Sequence, residues 1–175
     1  MVFFAAMKLP GTATQEENIY IAMGKLDIQP DQVFLDIGCG SGAVSLAASR
    51  YTDRIYGIDR REDAVQMCRA RVSGQFFLGE AAGILPGLPR VDRCFIGGTR
   101  GIEEFWPLLL ERALPGCIIV ADLARLGIAA RLAQLMKEAG IFQELIQIHI
   151  ARGYDLGGDI ALRPVNPIFM VIGKC

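Results

Sequence analysis

Histidine is almost missing from this chain of 175 residues: His149 is the only one. That excludes metal centres built on several imidazoles and leaves one candidate for histidine acid/base chemistry. A net charge of either sign is missing as well. Eighteen Lys and Arg against nineteen Asp and Glu give a formal charge of -1, so no overall basic field exists to hold nucleic-acid phosphates. No apolar run approaches the ~18 residues that a membrane helix needs. The chain is nevertheless 52% hydrophobic with a mean hydropathy of +0.35, an excess that points to an oligomer interface. The five cysteines, Cys39, Cys68, Cys94, Cys117 and Cys175, form no C-x-x-C pair, and their odd number argues against a complete disulfide framework. A reducing cytoplasm is the expected location. Residues 1–7 are apolar but too short, and without a basic leading segment, for a signal peptide; Met7 is a second candidate start. Internal repeats and low-complexity tracts are absent, and the length fits one domain over residues 1–175.

What is present is organised around residues 33–42, Val-Phe-Leu-Asp-Ile-Gly-Cys-Gly-Ser-Gly. The apolar run suits a strand covered on both faces, and Gly38, Gly40 and Gly42 allow a tight turn that a ligand can approach closely. Residues 43–50 have the composition of a helix starting at that ligand. Two ligands fit. Gly38 to Ala43 satisfies the dinucleotide fingerprint G-x-G-x-x-G/A. Asp36, however, sits poorly beside a pyrophosphate and well beside the ammonium and sulfonium charges of S-adenosylmethionine. Cys39 lies in this loop as a small residue rather than as a reactive thiol.

Upstream, Thr14 and Glu17 have the spacing of a capping box for a helix over residues 15–26. Downstream, strands are expected at 54–58, 75–78, 90–96 and 117–121, with helices at 62–71, 102–114 and 124–139. Asp59 closes the second strand 21 residues after Gly38, the offset of an acid that hydrogen-bonds ribose hydroxyls. Glu80 and Ala81 follow the third strand, where an adenine would lie. Gly97, Gly98 and Gly101 make a glycine-rich turn after the fourth. Residues 142–151 alternate as a strand with His149 on its polar side, 152–165 read as irregular, and a last strand spans 168–172. Because no helix separates the last two strands, they are expected to be antiparallel neighbours. The fold class is α/β: a doubly wound, seven-stranded, mostly parallel sheet with an antiparallel last strand, whose ligand site lies beyond the carboxyl ends of the strands. Arg60, Arg61, Arg100, Arg125, Arg152 and Arg163 recur after strand ends, and guanidinium groups match carboxylates in bidentate geometry, so an anionic substrate is expected.

Several segments together resemble the cobalt-precorrin carbon-15 methyltransferase (decarboxylating) family of cobalamin biosynthesis, which has the Rossmann-like S-adenosylmethionine-dependent methyltransferase fold. They are Pro10-Gly11 with Thr14 to Glu17, Asp36 to Gly42, Tyr56 to Arg60, Gly79-Glu80-Ala81, Phe95 to Gly98, Ile150 to Gly153 and Asn166-Pro167. The resemblance implies that Thr14, the loop Gly38 to Gly42, Asp59 and Ala81 contact the methyl donor and that the protein is a homotetramer; Gly98, Arg100, Arg152 and Asn166, in and after strand-end turns, are expected to face a carboxylated tetrapyrrole. In that family, methyl transfer to a ring carbon is coupled to loss of carbon dioxide from an acetate side chain. This chain departs from the family pattern at Glu80 to Gly83, Thr99 to Gly101 and Asp122 to Arg125, which bears more on the substrate than on the donor. Alignment and exclusion of water drive such a transfer, so no dedicated nucleophile is required. Asp122 and His149 are candidate acid/base groups. Methylation of another substrate such as an RNA base, and donor binding without catalysis, are the rival readings.

Overall fold

The computed structural model describes residues 14–175, so Pro10, Gly11 and both candidate starts, Met1 and Met7, lie outside the described residues. Helix α1, Glu16–Leu26, precedes strand β1, Phe34–Ile37, and the short helix α2, Ala43–Ala48. Then follow β2 (Ile55–Asp59), α3 (Glu62–Arg71), β3 (Gln75–Leu78) and a single helical turn α4 (Ala81–Ile84). The second half runs β4 (Val91–Ile96), α5 (Ile102–Arg112), β5 (Ala113–Leu123), α6 (Leu126–Glu138) and β6 (Phe142–Ile148). It ends with β7 (Ala151–Leu156), β8 (Asp159–Pro164) and β9 (Ile168–Lys174). Among the described residues no helix is long and apolar enough to cross a membrane.

Seven strands form one sheet in the order β3-β2-β1-β4-β5-β9-β6. The first five are parallel, and β9 is inserted antiparallel between β5 and β6. The expected doubly wound architecture with an antiparallel last strand is therefore present. Chain direction along the sheet reverses between β1 and β4, and crevices at such a switch point are where ligands bind.

Period-two alternation divides the sheet between two helical layers. Leu35 and Ile37 of β1, with Ile119, Ala121 and Leu123 of β5, pack into the core with α5 and α6. Phe34 and Val120 pack on the opposite face with α1, α2 and α3. By the same alternation Asp36 and Asp122 belong to the α1 side. Full burial of side chains such as Phe34, Leu35 and Ile119 stabilises the fold by roughly 1.5–3 kcal/mol each.

Two expectations fail. The N-cap of α1 is Gln15 and makes no side-chain cap bond. Thr14 lies one residue too early, and Glu17 turns instead to Arg152, which gives its carboxylate a stronger partner than a backbone amide. Residues 152–165 are not irregular: β7 and β8 pair in register as an antiparallel hairpin turned by Gly157 and Gly158, both at positive φ. Glycines at the tip and the polar mixture along its strands hid the period.

Candidate functional site

The turn after β1 is built by close backbone contacts. Gly38, Gly40 and Gly42 have φ of +80°, +54° and +74°, a region that L side chains avoid. A Cβ on Gly38 would stand 2.6 Å from the amide nitrogen of Gly98, so the two glycines are needed back to back. The amides of Gly97 and Gly98 donate to the Ile37 carbonyl at 2.9 and 3.1 Å, and those of Gly38 and Cys39 donate to the Ile58 carbonyl at 2.8 and 3.1 Å. These bonds fix the turn between β2 and the segment after β4. Helix α2 has only six residues, so the turn itself, rather than a helix end, shapes the site. Cys39 is buried with its sulfur 3.4 Å from that of Cys68. The hydrogen bond shared with Cys68, together with burial, pushes the Cys39 thiol well above the usual range, which keeps it inert.

Two acids flank this turn in different states. Asp36 is 1% exposed. Its Oδ2 accepts a 2.6 Å bond from the Ser45 hydroxyl, while its Oδ1 is buried without a partner. Burial pushes Asp36 up to about 7, partly offset by the bond from Ser45. An orphaned buried carboxylate oxygen calls for a cation or a proton and repels a pyrophosphate, so this acid fits a sulfonium donor better than a dinucleotide. At the end of β2, burial would raise Asp59 too. Hydrogen bonds from the Arg61 side chain and from the Arg61 and Gly40 amides outweigh it and hold Asp59 below the usual carboxylate range. Both Asp59 oxygens are thus engaged, one by the glycine turn itself.

Three adjoining cavities open here, and Gly97 borders all of them. The first, about 250 Å³, lies against Thr14, Asp36, Gly38, Cys39, Gly40 and Ser41. The second, about 570 Å³, is lined by Asp59, Glu80, Ala81, Gly98 and Arg100, with Arg60 and Arg125 adding positive charge. The third, about 270 Å³, is lined by Thr14, Asn18, Asp122 and Asn166. Gly42 is buried behind the first, where a Cβ would press on Cys68 at 3.1 Å. The structure therefore gathers thirteen of the fourteen residues expected from sequence around one crevice. Arg152 is the exception, outside these cavities and paired bidentately with Glu17 of α1. Arg100 pairs with Glu80 at 3.7 Å, both exposed. His149 is exposed just beyond β6. Arg61 holds Asp59 more closely than its place among the strand-end arginines implies, and its position two residues past Asp59 is the sequence signal for it. Asn18, a single polar position on the buried face of α1, carries no such signal.

A family model described as a precorrin methyltransferase domain matches residues 6–173. A protein of Archaeoglobus fulgidus named "Probable cobalt-precorrin-6B C(15)-methyltransferase (decarboxylating)" is 34% identical over 95% of this chain and 99% of its own. One of Methanosarcina acetivorans with the same name is 31% identical over 96% of both chains. Among solved structures, a precorrin 8W decarboxylase of Methanobacterium thermoautotrophicum superposes with a TM-score of 0.88 over 93% of this chain and 92% of its own. At 22% identity, that likeness speaks for the fold.

Proposed function

Because this chain belongs to the precorrin methyltransferase family, we propose that it methylates a cobalt-precorrin, cobalt-precorrin-6B at carbon 15, with loss of carbon dioxide, in cobalamin biosynthesis. When bound, S-adenosylmethionine supplies an electrophilic methyl group on a positively charged sulfur. The observation that carries the donor assignment is Asp36, which borders the glycine-turn cavity and keeps one buried oxygen without a partner. In this reading Thr14, Asp36 and the turn Gly38-Cys39-Gly40-Ser41-Gly42 hold the charged end of the donor. Asp59, Glu80 and Ala81 take its nucleoside, with Arg61 ceding part of its hold on Asp59.

The carboxylated tetrapyrrole is held by Arg100, with Arg60 and Arg125 on the same cavity, and by Gly98 and Asn166. Guanidinium groups at a partly dehydrated rim bind carboxylates bidentately and exclude water from the transfer. Arg152 contributes by tying the hairpin to α1. The near-neutral charge supplies no overall basic field for nucleic acid. A homotetrameric enzyme of the reducing cytoplasm, formed by one domain per chain, completes the reading; the bare apolar residues of the hairpin support the oligomer.

Anaerobic incubation with cobalt-precorrin-6B and S-adenosylmethionine tests the function: mass analysis is expected to find one methyl gained and one carboxyl lost. An unaltered tetrapyrrole under these conditions would refute the assignment. Arg100→Ala is expected to weaken tetrapyrrole binding about tenfold, the scale of one exposed charge-assisted contact. Donor affinity measured by calorimetry should stay unchanged.

A further inference from the structure

Decarboxylation sets a chemical requirement that methyl transfer does not. Breaking the bond between a side-chain methylene and its carboxyl carbon leaves the electron pair on the methylene, in conjugation with the ring. A proton must then be added to that carbon to complete a methyl group. One carbon–carbon bond breaks, one carbon–hydrogen bond forms, and no electron is gained or lost. A protein acid near the substrate, separate from the donor, would speed that protonation over water.

The third cavity holds one titratable residue among those that line it. Asp122 stands at the carboxyl end of β5, on the sheet face turned to α1, and its Oδ1 is buried with no hydrogen-bond partner. Every other lining group is neutral: Thr14, Gln15 and Asn18 from α1 and its approach, Gly97 after β4, Ala124 after β5, and Val165, Asn166 and Ile168 before and at the start of β9. The Asn18 Oδ1 is also buried without a partner, on a residue 1% exposed. Two orphaned polar oxygens on one small cavity cost stability, on the pattern of groups retained for chemistry. With no opposing charge, burial alone raises Asp122 to about 6, so an appreciable fraction keeps its proton near neutrality. Through Gly97 and Thr14 the cavity adjoins the pocket of the glycine turn.

We propose that Asp122 is the proton donor for the decarboxylated side chain and that Asn18 is a positioning residue, accepting an N–H or O–H of the tetrapyrrole in the same cavity. This rests on the function proposed above. Asp122 gives its proton to the methylene carbon as carbon dioxide leaves, and the resulting carboxylate is reprotonated by water once product departs. Asp36, the other acid with a buried unpartnered oxygen, is bound by Ser45 and borders the glycine-turn cavity, so it does not duplicate this role.

The test compares wild type, Asp122→Asn and Asp122→Glu with cobalt-precorrin-6B and S-adenosylmethionine, following S-adenosylhomocysteine and carbon dioxide separately. Asp122→Asn is expected to lower carbon dioxide release by about 10²- to 10⁴-fold, the usual contribution of a positioned general acid. A methylated product that keeps its carboxyl should accumulate, with donor affinity and thermal unfolding near wild type. Asp122→Glu should restore part of the rate. In wild type the decarboxylation rate should fall as pH rises through about 6, because the acid form is the active one; Asp122→Asn should lack that limb. Equal carbon dioxide release by Asp122→Asn and wild type would overturn the role of Asp122 alone. A wild type that leaves cobalt-precorrin-6B unchanged would overturn the proposed function, and this inference with it.

Discussion

Single residues decide most of this site, and glycines show it most sharply. Gly38→Ala would place a Cβ 2.6 Å from the Gly98 nitrogen at a φ of +80°. The left-handed backbone alone costs roughly 1–2 kcal/mol, before the clash. The variant is expected to melt lower and to lose at least tenfold in donor affinity. Gly127, near the start of α6 with nothing within 4 Å of its Cβ position, is the control: Gly127→Ala should stabilise by about 0.5–1 kcal/mol. Asp36 makes a pH prediction. Its folded value of about 7 lies above the ~3.9 of an unfolded aspartate. Its burial therefore destabilises the free protein fully above pH 7 and not at all below about pH 4, so stability falls as pH rises through that window. A cationic donor reverses the preference. Binding should strengthen with pH up to about 7, with protons released below it, and Asp36→Asn should abolish the dependence in calorimetry run in buffers of different ionisation enthalpy. Asp36 was legible in sequence because a charge inside an apolar strand stands out. Asn18 was not, since one polar residue on a helix takes its meaning from what packs above it.

At the scale of elements, periodicity was a good guide wherever a helix or strand buries one face. The bounds of α3 and β3 follow from their sequences alone, and those of β1, β4 and α5 fall within two residues. The start of α1 shows where local pattern misleads. Losing an N-cap hydroxyl ordinarily costs ~1 kcal/mol. Here Thr14 makes no cap bond and borders both the glycine-turn cavity and the Asp122 cavity. Thr14→Ala is thus expected to leave the melting temperature unchanged while weakening donor binding severalfold; a drop in melting temperature would restore the capping role. The hairpin β7–β8 escaped notice because it has no buried face to impose alternation: all of β7 and nearly all of β8 are exposed.

For the molecule as a whole, that bare hairpin is the feature one chain cannot account for. An isolated two-stranded ribbon is marginal in water, yet this one carries Leu156 on one face and Ile160 and Leu162 on the other, at 62%, 79% and 68% exposure. Apolar residues left bare on both faces are the observation on which the proposed assembly rests. Ile160→Asp combined with Leu162→Asp is expected to yield monomers in sedimentation velocity with unchanged circular dichroism; an unchanged oligomer would refute the hairpin as the contact. The doubly wound sheet, the glycine turn and the acid beside it could be read from the sequence, because burial period and positive-φ turns are written locally. Only the tertiary structure decided that Arg152 serves Glu17, that Gly38 needs Gly98, and that Asn18 and Asp122 share a cavity. Those facts depend on which distant segments the strand order β3-β2-β1-β4-β5-β9-β6 brings within reach, and no local spacing encodes a contact across the sheet.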